Sequence, residues 1–279
     1  MDYTESAPPL ALRQYVQCLW ELRDESPDPA IQAVYPDGRC ELLAELGVPL
    51  RFHGMDGQLR ADQPFCFAAQ QRGPIRLQAT GPVHCIGVRL TAAASGLVAG
   101  KRLGGLRDQA PDLYTLDTAF ATRFESAIRA GIQAGTQQPL WDLLQVHCAG
   151  FTVDPLAECA AALLDATEGD LRMHALADQL GVAMRTLQGR FLAAVGLTPK
   201  EYARVRRLQG LLRTLDATAA PIADAAARHG YSDQAHATHD LARLTGMTPA
   251  RLVRALAGDR NAADAARLAA AFVRGYAST

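Results

Sequence analysis

The chain has 279 residues, of which 49% are hydrophobic and 20% charged, a composition that describes a globular, core-forming protein long enough for two domains. Its 28 Lys/Arg stand against 29 Asp/Glu, and a net charge of −1 argues against a protein that does nothing but bind nucleic acid. The opening MDYTESAPPLALRQYV has no apolar run like that of a signal peptide, and no window approaches the roughly 20 apolar residues of a membrane span, so a cytoplasmic protein without a membrane partner is expected.

In chain order, Leu12, Tyr15, Val16 and Leu19 follow a helical spacing and predict a helix over Leu10 to Leu22. Short strands follow, punctuated by Gly and Pro. Tyr35-Pro36-Asp37-Gly38 reads as a turn, with strands at Cys40 to Leu46, Pro64 to Ala68, Ile75 to Ala79 and Val83 to Leu90. In the last strand Ile86, Val88 and Leu90 share one face, and Cys85, Gly87 and Arg89 the other. A small antiparallel barrel or sandwich accounts for this pattern. Its interior is a reasonable place for a small molecule, and Trp20, Tyr35, Phe52, Phe65 and Phe67 are candidates either to line it or to form its core. Helices are expected at Leu116 to Ile132, through Phe120, Phe124 and Ile128, and at Pro139 to Cys148, which carries Trp141, Leu144 and His147.

The six cysteines all precede residue 160, and none forms a C-x-x-C or other zinc spacing. They read as small buried hydrophobes, with a redox-sensing role for Cys66 or Cys85 ranked below packing. His53 and His84 are isolated, so no metal site and no cofactor is expected.

From Asp154 the pattern turns helical. Asp154-Pro155 opens a helix, and Leu176 to Tyr202 reads as two short helices joined at Gly181. On the second, Leu187, Phe191 and Val195 are apolar, while Arg185, Gln188 and Arg190 lie on the opposite face. Arg pairs bidentately with guanine and Gln with adenine, which suits a major groove. The unit returns about fifty residues later. Gly196-Leu197-Thr198-Pro199 is matched by Gly246-Met247-Thr248-Pro249, and a second hairpin spans Ile222 to Leu244. Thr198, Pro199 and Glu201 make a capping box that starts a connecting helix to about Leu215.

These two hairpins, the connecting helix with Arg206-Arg207-Leu208, and the paired turns resemble the DNA-binding domain of the AraC/XylS family of bacterial transcription regulators. The N-terminal pattern, more loosely, resembles that family's cupin-like effector domains. The resemblance implies an α+β protein: residues 1–150 for effector sensing and dimerisation and 151–256 for an all-α double helix-turn-helix domain; beyond it the stripe of Ala265, Leu268, Phe272 and Tyr276 predicts a helix over Asn261 to Tyr276 in a C-terminal extension, 257–279. It implies Arg185 and Gln188 facing bases, Arg190 reaching a phosphate, and Gln234, Thr238 and His239 facing the groove from the second unit. Gly189, Ala183, Ala237 and Leu241 depart from the family's usual residues, and Asp240 is expected to repel the DNA backbone.

The implied protein is a non-enzymatic, sequence-specific regulator, more an activator than a repressor, that binds promoter DNA as a homodimer, answers to a small molecule and works with RNA polymerase. A cupin-like enzyme, or a regulator with degenerate DNA binding that acts through protein contacts, is the alternative. Charge fits the leading reading. Residues 1–169 hold 13 Lys/Arg and 20 Asp/Glu, whereas residues 170–256 hold 12 and 7; a domain that starts at Asp154 takes in four more acids and is left at about +1, a weak basic footprint.

Overall fold

The computed structural model describes residues 1–53, 59–61, 63–218 and 222–256. Its strands are β1 (Asp2–Ser6), β2 (Val16–Asp24), β3 (Gln32–Val34), β4 (Glu41–Glu45), β5 (Arg51–His53), β6 (Leu59–Ala61), β7 (Phe65–Ala68), β8 (Ile75–Gln78) and β9 (Val83–Leu90). Two antiparallel sheets result, one in the order β1-β2-β9-β4-β7 and the other β3-β8-β5-β6. The helices are α1 (Gly96–Ala99), α2 (Leu113–Leu116), α3 (Thr118–Ala134), α4 (Gln138–Cys148), α5 (Pro155–Ala166), α6 (Met173–Gln179), α7 (Met184–Val195), α8 (Pro199–Thr218), α9 (Ile222–Arg228), α10 (Gln234–Thr245) and α11 (Pro249–Leu256). The class is α+β, with sheets confined to the N-terminal part and helices alone after it.

The alternation of β4 divides the N-terminal part into layers. Leu42 and Ala44 are fully buried among Phe120, Phe124, Trp141 and Leu144, the apolar stripes of α3 and α4. Glu41, Leu43 and Glu45 point the other way, toward the smaller sheet. Helices therefore cover one face of the larger sheet and the second sheet covers the other. Asp117 caps α3 through Phe120 N, and Gly135, left-handed at φ 64°, ends it.

The helix expected over Leu10 to Leu22 is instead a single 3-10 turn, Leu10–Leu12, followed by β2. Its apolar residues satisfy helical spacing because both faces of β2 are buried: Leu19 packs toward α3 and α4, while Cys18, Trp20 and Leu22 pack between the sheets. Pairing on both edges, with β1 and β9, decides the matter. Trp20 has a specific requirement. A Cβ on Gly87, its partner in β9, would lie 2.1 Å from the indole. The absent side chain lets the ring lie across the strand.

Of the six cysteines, five are buried and Cys159 is exposed. Burial pushes the thiols of Cys18 and Cys40 up to about 12; Cys66 is fully buried, and Cys85, 6% exposed, borders the space between the sheets. His84 is tied to Glu21 at 2.7 Å and His53 to Gln78 at 3.1 Å. Among the described residues no group of three His, Cys, Asp or Glu could hold a metal ion, and no helix is long and apolar enough to cross a membrane. The helix expected at Asn261 to Tyr276 lies outside the described residues.

Candidate nucleic-acid interface and effector cavity

The helical half is built on α8. Thr198 Oγ1 accepts from Glu201 N at 3.2 Å, while Thr198 N donates to Glu201 Oε2 at 2.9 Å, the reciprocal bonds of a capping box. Tyr202, Val205, Leu208 and Leu212 are buried, and so are Arg206 and Gln209. The arginines of this helix tie it to neighbouring elements. Arg204 holds Asp240 bidentately, Arg206 Nε lies 2.8 Å from Asp165, and Arg207 donates to Gly169 O and lies over the Tyr231 ring at 5.4 Å. Asp240 is consequently 2% exposed and neutralised inside the domain, not set against DNA as the sequence suggests.

The first helix-turn-helix is α6 and α7. Leu187, Phe191 and Val195 are fully buried, while Arg185, Gln188 and Gly189 are exposed. The Arg185 and Gln188 side chains thus share the free face of α7. Arg190 is also exposed, but its guanidinium grips Asp154 at 2.9 and 2.6 Å, and that same carboxylate caps α5 through Leu156 N and Ala157 N. The pair locks α7 to α5 and occupies the group expected at a phosphate. Ala183 gives α7 no side-chain cap. A Cβ on Gly189 would meet nothing within 4 Å.

The second unit is α9 and α10. Asp233 caps α10, accepting from His236 N at 2.7 Å. Ala237 and Leu241 are buried, His239 is exposed and Thr238 half-buried. Gln234 opens the helix, but its side chain lies outside the described residues. Arg243 is exposed near the end of α10, a cation that the motif alignment passes over because it lies beyond the first turns. Gly196 and Gly246 terminate α7 and α10 in the left-handed conformation, at φ 86° and 71°.

The turn read in the sequence at Tyr35 to Gly38 has a role the sequence does not announce. It is the N-terminal part's plug into the helical part. Gln209 donates to Pro36 O at 2.6 Å, Arg206 to Asp37 O at 3.1 Å, and Gln70 to Gly38 O at 3.1 Å. Arg39 reaches Asp165 at 2.7 Å and also meets the Tyr202 hydroxyl, which itself donates to Asp165 at 2.7 Å. Gly38 is left-handed at φ 81°, and a Cβ there would lie 2.9 Å from the Tyr202 ring. Burial pulls the Asp165 carboxyl up, but Arg39, Arg206 and the Tyr202 hydroxyl outweigh it and hold it below its usual range.

Between the two sheets lies a cavity of about 390 Å³. The larger sheet contributes Trp20, Glu41, Leu43 and Glu45 to its wall. Phe52, Ile75 and Leu77 come from the smaller one. Of the five aromatic candidates, Trp20 and Phe52 line this space. Phe65 and Phe67 face the other side of the sheet, where Phe65 meets Phe124 edge-on at 6.3 Å. Tyr35 is buried against the helical part, its hydroxyl 3.7 Å from Met247 Sδ. Strand parity explains the miss: β7 pairs with β4 so that Phe65 and Phe67 fall with Ala44 and Leu42, not with Leu43.

Residues 176–255 match a family model described as a helix-turn-helix domain, and residues 4–112 match one described as a domain of unknown function (DUF6597). No curated protein matches. Among solved structures, ToxT from Vibrio cholerae is similar at 9% identity and a TM-score of 0.45, over 91% of this chain and 98% of that one. A structure of ToxT from Vibrio cholerae O395 bound to (E)-4-(8-methylnaphthalen-1-yl)but-3-enoic acid is similar at 9% identity and 0.46, over 92% and 100%. The AraC-like transcriptional activator CuxR is similar at 14% identity and 0.29, over 74% and 85%. At these identities and scores, no ligand or DNA contact carries over from them.

Proposed function

We propose that this chain, which carries an AraC-type helix-turn-helix domain behind an α+β N-terminal part, is a sequence-specific DNA-binding transcription regulator controlled by a small molecule. The observation that carries the reading is the free face of α7. Arg185 and Gln188 stand exposed on a helix whose opposite side is fully buried, in a helix-turn-helix repeated at α9 and α10 on the common support of α8. Arg185 and Gln188 read base edges; Thr238, His239 and Gln234 act from the second unit, chiefly on phosphates and groove shape. Arg190 serves by holding α7 in place through Asp154.

The division at about residues 150–154 separates the sensing part, 1–150, from the DNA-binding part, 151–256. The effector enters the cavity between the sheets. The finer parts of the proposal are a homodimer formed through α3 and α4, where Ile132 and Val146 are exposed apolar side chains, and activation by contact with RNA polymerase. Fluorescence anisotropy against the chain's own upstream intergenic DNA, with a scrambled competitor at low and physiological salt, tests the core claim. Binding that survives the competitor at physiological salt is expected; loss that is equal for both sequences refutes sequence-specific reading.

A further inference from the structure

We propose that the two helix-turn-helix units are clasped directly to each other, through the α5–α6 loop and the turn that joins α9 to α10, and that this clasp sets the separation of half-sites the chain accepts in DNA. The inference rests on the DNA-binding reading above and names Glu168, His229 and Gly210 as positioning residues for the choice of operator.

Helix α8 is the covalent support of both units, and a helix of 20 residues could fix their separation unaided. Its sequence argues otherwise. Gly210 stands in its interior, where glycine weakens a helix more than any residue but proline. Space explains the choice: a Cβ on Gly210 would lie 2.7 Å from both Glu168 Oε2 and His229 Nδ1. Glu168 belongs to the α5–α6 loop, which leads into the first unit. His229, 8% exposed, directly follows α9 in the second. The two side chains meet beside α8 at 2.9 Å. Two groups of α8 complete the cluster. Arg213 Nη2 donates to Glu168 Oε1 at 2.5 Å, and Thr214 Oγ1 lies 2.8 Å from His229 Nε2.

The backbones approach just as closely. A Cβ on Gly230 would lie 2.2 Å from Asp170 Oδ1, so the turn after α9 presses on the same loop two residues beyond Glu168. Arg207 donates to Gly169 O at 3.0 Å while its guanidinium lies over the Tyr231 ring, and so holds the loop and the turn together. Glu168 is left-handed at φ 48°, a conformation that a residue with a side chain keeps only where its surroundings hold it. The loop leads into α6 and the turn into α10. The clasp thus ties the starts of those helices to each other without passing along α8, and in this arrangement the two reading helices meet DNA as one rigid pair. One inserted base pair moves the second half-site by about 3.4 Å and turns it by roughly 35° about the duplex axis.

The test is competition anisotropy with the full chain. Hydroxyl-radical footprinting on the chain's own upstream intergenic DNA first locates a pair of protected segments about one helical turn apart. A duplex trimmed to that pair is then compared with one carrying a single extra base pair between the segments. In the wild type the insertion should weaken binding about tenfold, and in Glu168→Ala and Gly210→Ala by no more than about threefold. Both affinities are measured on one protein, so a variant that is merely less folded leaves their ratio unchanged. Gly210→Ala carries the decision. It strengthens α8 as a helix while forcing Glu168 and His229 apart, so a separation set by α8 alone requires an undiminished or larger penalty.

A wild type that tolerates the insertion, or variants that keep the wild-type penalty, overturns the clasp. A single protected segment overturns it as well and leaves the first unit as the reader. A chain that protects no DNA overturns the DNA-binding reading and the clasp with it.

Discussion

Replacing Asp165 by Asn tests whether the two halves of the molecule form one cooperative unit. Its carboxylate receives Arg39 from the N-terminal part, at 2.7 Å, and Arg206 and Tyr202 from α8, at 2.8 and 2.7 Å. Both arginine side chains are less than a tenth exposed, so the amide leaves two buried cations short of a counter-charge. Hydrogen bonds to charged groups contribute about 1.5–3 kcal/mol each. Two of the three contacts, from Arg39 and Tyr202, are hydrogen bonds, and Asp165 is itself 30% exposed, which calls for discounting their sum by roughly half, to about 1.5–3 kcal/mol. For a chain of this size that corresponds to a fall in Tm of roughly 5–10 °C. The assay is urea unfolding of the full chain followed by tryptophan fluorescence and far-UV circular dichroism. Both tryptophans, Trp20 and Trp141, lie in the N-terminal part, so the fluorescence reports that half alone. In the wild type the two signals should coincide; in the variant they should separate as coupling across the interface weakens. The pH dependence has a definite sign. Because the folded carboxyl is held below its usual value, its contribution is complete at neutral pH and above the unfolded value of about 3.9, and is lost as pH falls through the folded value. A stability loss under about 1 kcal/mol, with the two signals still coincident, would refute the view that this cluster joins the halves.

Gln188→Ala should reduce discrimination between operator and scrambled DNA by about 1–3 kcal/mol, and Gln234→Ala by clearly less; equal losses in competition anisotropy would refute the division of labour between α7 and α10. Gly189→Ala should raise stability by up to about 1 kcal/mol, since a Cβ there meets nothing and the helix gains propensity, and thermal unfolding checks it. Gly169→Ala should do the reverse, by more than about 2 kcal/mol, because its φ is +77° and a Cβ would lie 2.0 Å from Ala203 O. Thr198→Ala should cost about 1 kcal/mol by removing one half of the capping box, measured by the same unfolding curves.

The helical half was legible in the sequence because its signals are local. A glycine stop, a capping box and an i, i+4 stripe are each fixed within a few residues, and Gly196, Thr198–Glu201 and Leu187–Phe191–Val195 all occupy the places those signals demand. The sheet half was legible in part. Val83 to Leu90 was recognisable by alternation, but β1, β3, β5 and β6 are only three to five residues long, too short for alternation to show, and β3 is held by β8, some forty residues further on. Which arginines are free could not be read at all. Arg190, Arg204 and Arg206 look like a basic face on their own helices and are spent on Asp154, Asp240 and Asp165, each more than thirty residues away. For the same reason the basic excess of residues 170–256 overstates what is left for DNA.

The loop between β7 and β8 links the cavity to both reading units. Its Gln71, with Ala68 and Ile75 at its ends, lines the cavity. Gln70 lies against Gly196, the C-terminal stop of α7, where an added Cβ would come within 3.3 Å of its side chain. Pro74 and Arg76 lie against Gly246, the corresponding stop of α10, and Gly73 faces Arg243 O. The chain thus spans from one recognition helix to the other along the wall of the cavity, and the turn at Pro36 to Arg39 holds α8 between them from a strand that supplies Glu41 to the same wall. A ligand shifts an equilibrium only by its difference in affinity for two arrangements. The path between the cavity and the helices is short: Glu41 on the cavity wall lies two residues from Arg39, and the β7–β8 loop lies against the ends of both α7 and α10. A change in the spacing of the two helices, rather than in either one alone, is what such a path would transmit to DNA.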